Sequence, residues 1–105
     1  MEHILNIARV LAAIAMVETG NRPGLTGRDG EIGIYQESAI LVLDFDQHTG
    51  CSFQLDDVAK SPWLQERIAR WYLKNCTTLE QVAHRWNPRA VGYEAKLEWE
   101  YRRAK

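Results

Sequence analysis

Apolar residues near the start of the chain recur at helical spacing. Within residues 2–19 they return every three or four positions, and several alanines widen the stripe around most of the helix. A helix of this kind is normally packed on several sides, so the pattern predicts a central N-terminal helix. Gly20 and Asn21 are typical helix-ending residues, and Pro23 prevents the helix from resuming. The stripe consists of Ile4, Ile7, Ala8, Leu11, Ala12, Ala13, Ile14, Ala15, Met16 and Val17.

The segment from Gly20 to Gly33 is predicted to be a shaped loop. It holds five of the seven glycines of the chain. Arg28-Asp29-Gly30 contains an Asp-Gly pair, which is a signal for a tight turn and indicates a short hairpin. Long loops with many special backbone positions often carry functional residues. We therefore expect this loop to form part of a site rather than a simple connection.

Four further helices are predicted from apolar residues at helical spacing. Ser61 followed by Pro62 is a good helix start, because serine caps a helix and proline suits its first position. Thr77 or Thr78 similarly caps a helix, with Glu80 or Gln81 close to the capping-box position. The predicted helices span residues 34–47, residues 61–75, the segment from residue 77 or 78 to the Asn87-Pro88 stop, and residues 93–103, with one short helical turn within residues 52–60.

The length and composition agree with one globular domain. A chain of 105 residues has room for a single hydrophobic core. Its 46% apolar content argues against disorder. No segment shows strand periodicity, and no repeat or linker interrupts the pattern. We predict a single all-α domain over residues 1–105, with about five helices around the N-terminal helix and a Gly-rich loop or short hairpin after it.

The charge and the first residues exclude several function classes. The formal net charge of −1 provides no general basic field, so nucleic acid and anionic membranes are not expected partners. Basic residues outnumber acidic ones after Arg85, which favours a solvated helix face. The apolar run Leu11–Val17 lacks a basic flank and a cleavage site and is too short to span a bilayer. We therefore expect neither a signal peptide nor a membrane span.

Metal and cofactor sites are not predicted. The three histidines are scattered, and no Cys or His spacing suggests zinc. The sequence contains no phosphate-binding or dinucleotide-binding glycine motif. Cys51 and Cys76 are too few for a disulfide framework, and two free buried thiols are favoured over a single bridge, although the sequence leaves both open.

Glu18 is the leading candidate for catalysis. It follows Ala15-Met16-Val17 at the C-terminal end of a predicted helix, where apolar neighbours and the helix dipole both disfavour its charged form. A carboxylic acid that stays protonated near neutral pH is what a general acid requires. Considered alone, a surface glutamate at a helix end is the commoner explanation. Asp29 and Glu31 are the nearby acids that could act with Glu18, although each could simply be a loop residue.

Aromatic and amide side chains elsewhere in the sequence suit carbohydrate binding. Trp86 is followed by Asn87, and Tyr93 lies a few residues later, while Tyr35 precedes Gln36 after the Gly-rich loop. Sugar C–H faces pack on aromatic rings, and sugar hydroxyls hydrogen-bond to amides. The alternative is that Trp86 belongs to the core, Asn87 ends a helix, and Gln36 is a polar residue of a first helical turn.

Three blocks in order resemble the lysozyme-like superfamily, in particular soluble lytic transglycosylase and goose-type lysozyme domains and small phage or bacterial lysozyme-like proteins. The blocks are AIAMVETGN, GEIGIYQ, and RWN with GYEAKLEW. This resemblance implies a lysozyme-like fold and cleavage of peptidoglycan between N-acetylmuramic acid and N-acetylglucosamine. Glu18 would be the general acid, Tyr35 and Gln36 would line the saccharide groove, and Asn87 and Tyr93 would face Glu18 from the far side.

The resemblance leaves the type of activity open. A lytic transglycosylase works with one carboxylate, whereas a hydrolase needs a second, for which Asp29 or Glu31 could serve. The alternative is a non-catalytic module of the same fold that binds cell-wall glycan or a protein. The implied partner is the glycan strand of peptidoglycan. The protein would reach it either as a phage-encoded protein or through export without a recognisable signal. The oligomeric state is not predicted.

Overall fold

The computed structural model describes residues 4–22 and 24–104. Across these ranges the chain is all-helical, with isolated β-bridges but no strand, so the all-α prediction is confirmed. Six helices are present where about five were predicted, because the short turn after residue 52 is a helix of its own. They are α1 (Ile7–Thr19), α2 (Ala39–Thr49), α3 (Leu55–Ala59), α4 (Pro62–Leu73), α5 (Leu79–Trp86) and α6 (Tyr93–Arg103).

Helix α1 supplies the centre of the larger core cluster. Val10, Ala13 and Ile14 are completely buried, and α1 packs against α6 and α4. The helix begins at Ile7, later than predicted, because the side chain of Asn6 caps it by accepting a hydrogen bond of 3.1 Å from the Arg9 N–H. Residues 2 and 3 of the predicted helix, and Pro23, which was expected to prevent the helix from resuming, lie outside the described residues. Gly20 ends α1 in the left-handed conformation, as predicted.

A second core cluster joins the loop after α1 to helices α2, α3 and α4. Phe45, Val58 and Ile68 form its centre, and Ile32 from the loop packs with them. Tyr72 and Trp86 contact both clusters, so they lie where the two meet. This boundary is where the candidate site is found.

The prediction that α2 starts at residue 34 is wrong. The segment from Gly33 to Gln36 forms a turn closed by a hydrogen bond of 3.1 Å from the Gln36 N–H to the Gly33 carbonyl. The next residue, Glu37, pairs with Ile32 through two backbone hydrogen bonds of 2.8 and 2.9 Å. Ser38 then caps α2. Because these backbone groups are already paired, the helix begins only at Ala39.

The Gly-rich loop contains the predicted tight turn. The Gly30 N–H donates to the Gly27 carbonyl at 3.1 Å, and the Gly27 N–H donates to the Glu31 carbonyl at 2.7 Å. Thr26 and Ile32 form one isolated bridge across this turn. The turn therefore has hairpin-like pairing without strands.

The later helix boundaries agree closely with the sequence signals. Ser61 caps α4 and Pro62 is its first residue, while Thr78 caps α5. Cys51 and Cys76 are free, and each is half-buried against a different core cluster. No helix in the described ranges is both long enough and apolar enough to cross a membrane.

Candidate functional site

A cavity of about 290 Å³ lies beside the C-terminal end of α1. It brings together side chains from all three sequence blocks that carry the family resemblance. The lining comes from the end of α1, from the Gly-rich loop and the turn after it, from the start of α2, from α4 and from the end of α5. The lining residues are Glu18, Gly27, Arg28, Glu31, Gln36, Ser38, Leu41, Tyr72, Trp86 and Asn87.

Glu18 is half-buried at the wall of this cavity. Its Oε2 accepts a hydrogen bond of 2.7 Å from the Tyr93 hydroxyl. Burial raises the pKa of Glu18; the Tyr93 hydrogen bond partly opposes this rise, and the negative charge of Glu31 adds to it. The net effect is a raised pKa, so Glu18 keeps its proton to higher pH than a free glutamate does. This is the property that a general acid needs.

Tyr93 is placed by the packing of α6 against α1. It is the first residue of α6, follows Gly92 in the left-handed conformation, and is only 5% exposed. Its burial and the neighbouring Glu18 carboxylate both raise the pKa of Tyr93. The hydroxyl therefore stays protonated and acts as a fixed donor toward Glu18. Tyr93 does not itself line the cavity.

Glu31 and Asp29, the two candidates for a second carboxylate, occupy different positions. Glu31 lines the cavity, and its Oε2 accepts a hydrogen bond of 3.0 Å from the Asp29 N–H. Asp29 is an exposed residue of the tight turn and is not among the lining residues. Only Glu31 thus shares the cavity with Glu18.

Gln36 lines the cavity and also holds the Gly-rich loop together. Its Nε2 donates to the carbonyls of Gly33 at 2.9 Å and Leu25 at 3.2 Å. Its backbone is left-handed, with φ of 56°. Gly27 lies directly beneath, and a Cβ there would clash with the carboxamide oxygen of Gln36 and come within 2.8 Å of Oε2 of Glu31. A larger residue at position 27 would therefore displace the ends of the Gln36 and Glu31 side chains.

Trp86 and Asn87 line the cavity, whereas Tyr35 is not among its lining residues. Trp86 Nε1 donates to the Tyr35 carbonyl at 3.3 Å, which ties the end of α5 to the turn before Gln36. The Tyr35 side chain is 6% exposed and packs in the larger core cluster, and burial raises the pKa of its phenol to about 12. Its contribution to the site is through its backbone.

Tyr72, a residue of α4, lines the cavity but is not among the site candidates named from the sequence. The guanidinium of Arg85 lies 4.0 Å from the centre of the Tyr72 ring, and Arg85 Nε donates to the Tyr72 carbonyl at 2.6 Å. The Tyr72 hydroxyl donates in return to the Arg85 carbonyl at 3.2 Å. The ring also meets Trp86 edge-on at 5.9 Å. The spacing of residues in the sequence does not distinguish a tyrosine that lines a cavity from one that packs in the core.

Glu37 is a buried acid next to the site that sequence reasoning missed. Its side chain is 1% exposed, and neither carboxyl oxygen has a hydrogen-bond partner among the described residues. Burial raises its pKa to about 9. Glu37 is therefore a neutral carboxylic acid at pH 7. It does not line the cavity, but it directly follows Gln36, which does.

The described residues contain no group of three or more His, Cys, Asp or Glu side chains that could hold a metal ion. The residues that line the cavity provide carboxyl, amide, phenol, indole and guanidinium groups. Comparison of the chain with protein-family models, with curated proteins and with solved structures gives no match.

Proposed function

We propose that this protein is a peptidoglycan-cleaving glycosidase of lysozyme-like fold, acting between N-acetylmuramic acid and N-acetylglucosamine with Glu18 as its general acid. The observation that carries the proposal is the half-buried Glu18 carboxyl, hydrogen-bonded to Tyr93 and sharing one cavity with Gln36, Trp86 and Asn87. The resemblance of the three sequence blocks singles out the same residues.

In the proposed mechanism Glu18 protonates the glycosidic oxygen as the sugar C–O bond breaks. Burial favours the protonated form before the transfer, because it disfavours a charged carboxylate. Once the proton has left, the hydrogen bond from Tyr93 stabilises the carboxylate. Tyr93 is thus a positioning residue that helps Glu18 to give up its proton, whereas burial favours its return.

The saccharide would lie between the Gly-rich loop and the aromatic wall. Trp86 and Tyr72 offer ring surface for the apolar faces of sugars, and Asn87 offers an amide for hydroxyl or N-acetyl groups. The Tyr72–Arg85 contacts hold the tyrosine ring in place. This wall supports a carbohydrate substrate over a small apolar one.

The role of Glu31 differs between two possible versions of the activity. A lytic transglycosylase needs only Glu18, with the N-acetyl group of the substrate assisting and an anhydro-muramyl product forming. A hydrolase would use Glu31 as its second carboxylate. Asp29 is less suitable for that role because it does not share the cavity.

The test is Glu18→Gln, which preserves size and polarity but cannot donate a proton. We expect this variant to lose clearance of purified cell walls, while Glu94→Gln, an exposed glutamate of α6, retains it. Clearance by Glu18→Gln at the wild-type rate would overturn the proposal.

Mass spectrometry of the digested walls then separates the versions. Anhydro ends identify a transglycosylase, and reducing ends identify a hydrolase. Binding of peptidoglycan by the wild-type protein without any cleavage would instead support the alternative, a non-catalytic glycan-binding or protein-interaction module.

A further inference from the structure

We infer that Arg28 selects the muramyl sugar of the strand by pairing with a carboxylate carried on its lactyl substituent. This inference rests on the proposed function and specifies which part of the substrate Arg28 binds. N-acetylglucosamine is neutral, whereas the lactyl group of N-acetylmuramic acid ends in a carboxylate when free and in a peptide stem bearing carboxylates when substituted. The two alternating sugars therefore differ in charge at one position.

Arg28 is the one basic side chain among the described residues that line the cavity. Glu31, and Glu18 once it has given up its proton, are the acidic ones, so without Arg28 the charge of the cavity lining would be only negative. An anionic sugar substituent would be repelled by those carboxylates unless a cation offset them. Arg28, which is a residue of the Gly-rich loop, provides that cation.

The backbone of Arg28 is held by the tight turn. The turn is closed by the hydrogen bonds from the Gly30 N–H to the Gly27 carbonyl at 3.1 Å and from the Gly27 N–H to the Glu31 carbonyl at 2.7 Å. The base of the arginine side chain is thus fixed at the cavity rim, although the side chain itself is exposed. A fixed base reduces the conformational entropy lost when a ligand is bound.

The guanidinium of Arg28 is not committed to another group in the described part of the chain. Its acidic neighbour Glu31 uses Oε2 to accept from the Asp29 N–H instead. Other exposed arginines do pair within the protein, as Arg102 does with Glu98 at 2.6 Å. Because arginine binds carboxylates through two parallel hydrogen bonds, its unpaired fork suits a substrate carboxylate.

The experiment measures binding in the Glu18→Gln protein, so that turnover does not consume the probes. Three glycans of equal length are compared by calorimetry: strands with peptide stems, the same strands stripped by an amidase to free lactyl groups, and an oligomer of N-acetylglucosamine. Arg28→Gln removes the charge, Arg28→Lys keeps the charge without the fork, and Arg89→Gln is the control at an exposed arginine outside the cavity.

We expect Arg28→Gln to weaken binding of the muramyl probes about tenfold, in line with the loss of one charge-assisted contact, and to change binding of the N-acetylglucosamine oligomer less than about twofold. The muramyl probe that loses more affinity identifies which carboxylate Arg28 binds, the free lactyl carboxylate or a carboxylate of the peptide stem. Arg28→Lys should recover part of the affinity, and Arg89→Gln should bind like the parent protein.

An equal loss on all three probes would assign Arg28 to the loop structure or to general sugar binding, and an unchanged affinity would also overturn the inference. Both results would leave the proposed glycosidase intact. If the parent protein binds none of the three glycans, the proposed function itself fails, and the role of Arg28 fails with it.

Discussion

The hydroxyl of Tyr93 donates a hydrogen bond of 2.7 Å to Oε2 of Glu18, although the two residues are 75 positions apart in sequence. The end of α1 and the start of α6 meet because these two helices pack along each other in the larger core. The pKa of Glu18 is therefore set by a balance: burial raises it, and the Tyr93 hydrogen bond lowers it.

Tyr93→Phe should raise the pKa of Glu18 further. The variant removes the hydrogen bond that favours the carboxylate and leaves the burial in place. The carboxyl carbon signal of Glu18 in an NMR titration reports this directly, and any wall-cleaving activity should extend to higher pH. Tyr101→Phe is the control, because the Tyr101 hydroxyl accepts from the Asn6 N–H and not from the site. A lower pKa for Glu18 in Tyr93→Phe would contradict the assignment.

Glu31→Gln should move the pKa of Glu18 in the opposite direction. The negative charge of Glu31 raises the pKa of Glu18, so its neutralisation lowers it. Glutamine retains an oxygen that can accept from the Asp29 N–H, which keeps the turn in place. The same NMR titration checks the shift, with Asp29→Asn as the neighbouring control outside the cavity. If Glu31→Gln and Asp29→Asn change the pKa of Glu18 by the same amount, the effect of Glu31 is not specific to its position in the cavity.

Glu37→Gln should stabilise the protein, and increasingly so as the pH rises. The folded pKa of about 9 lies above the ordinary value of 4.5, so the folded state holds a proton that the unfolded state releases. Between these pH values the wild type loses stability relative to the variant by about 1.4 kcal/mol per pH unit, which amounts to about 3 kcal/mol at pH 7.

Urea unfolding of both proteins at several pH values measures this difference. Below about pH 4.5 both side chains are neutral in both states, so the two free energies of unfolding should change in parallel with pH. The gap should widen up to about pH 9 and then level off. A gap that stays constant between pH 5 and pH 9 would mean that Glu37 is not a buried neutral acid.

Gly33→Ala should destabilise the fold more than Gly30→Ala does. Both glycines are left-handed, with φ of 77° and 86°, so either alanine should cost about 1–2 kcal/mol of backbone strain. A Cβ at Gly33 would also clash with the carboxamide of the buried Gln65, whereas nothing lies near a Cβ at Gly30. Overpacking adds about 1–3 kcal/mol at Gly33. Thermal or urea unfolding of the two variants compares them, and equal losses would show that Gln65 does not pack there.

Local sequence signals predicted the ends of most helices. Serine and proline at residues 61 and 62 start α4 as expected, and Gly20 ends α1, since capping depends on neighbouring residues alone. The start of α2 was mispredicted because Ile34 and its neighbours have helix-like spacing. What decides their conformation is the backbone pairing of Glu37 with Ile32, which the spacing of apolar residues does not reveal.

The candidate site was only partly predictable for a similar reason. Glu18, Glu31, Gln36, Trp86 and Asn87 were named from the sequence, and all five line the cavity. Tyr35 was expected in the groove but packs in the core, whereas Tyr72 lines the cavity without having been named. Which aromatic residue faces the cavity depends on how the two core clusters meet.

The absence of a side chain at Gly27 also affects which combinations of substitutions this loop can accept. Because the ends of the Glu31 and Gln36 side chains lie next to Gly27, a larger residue at position 27 must displace one or both of those side chains. Substitutions at the three positions should therefore be strongly non-additive, with Gly27→Ala tolerated better beside a shortened side chain at position 36. In evolution and in protein engineering, a larger residue at position 27 is therefore expected to appear together with a change at position 31 or position 36.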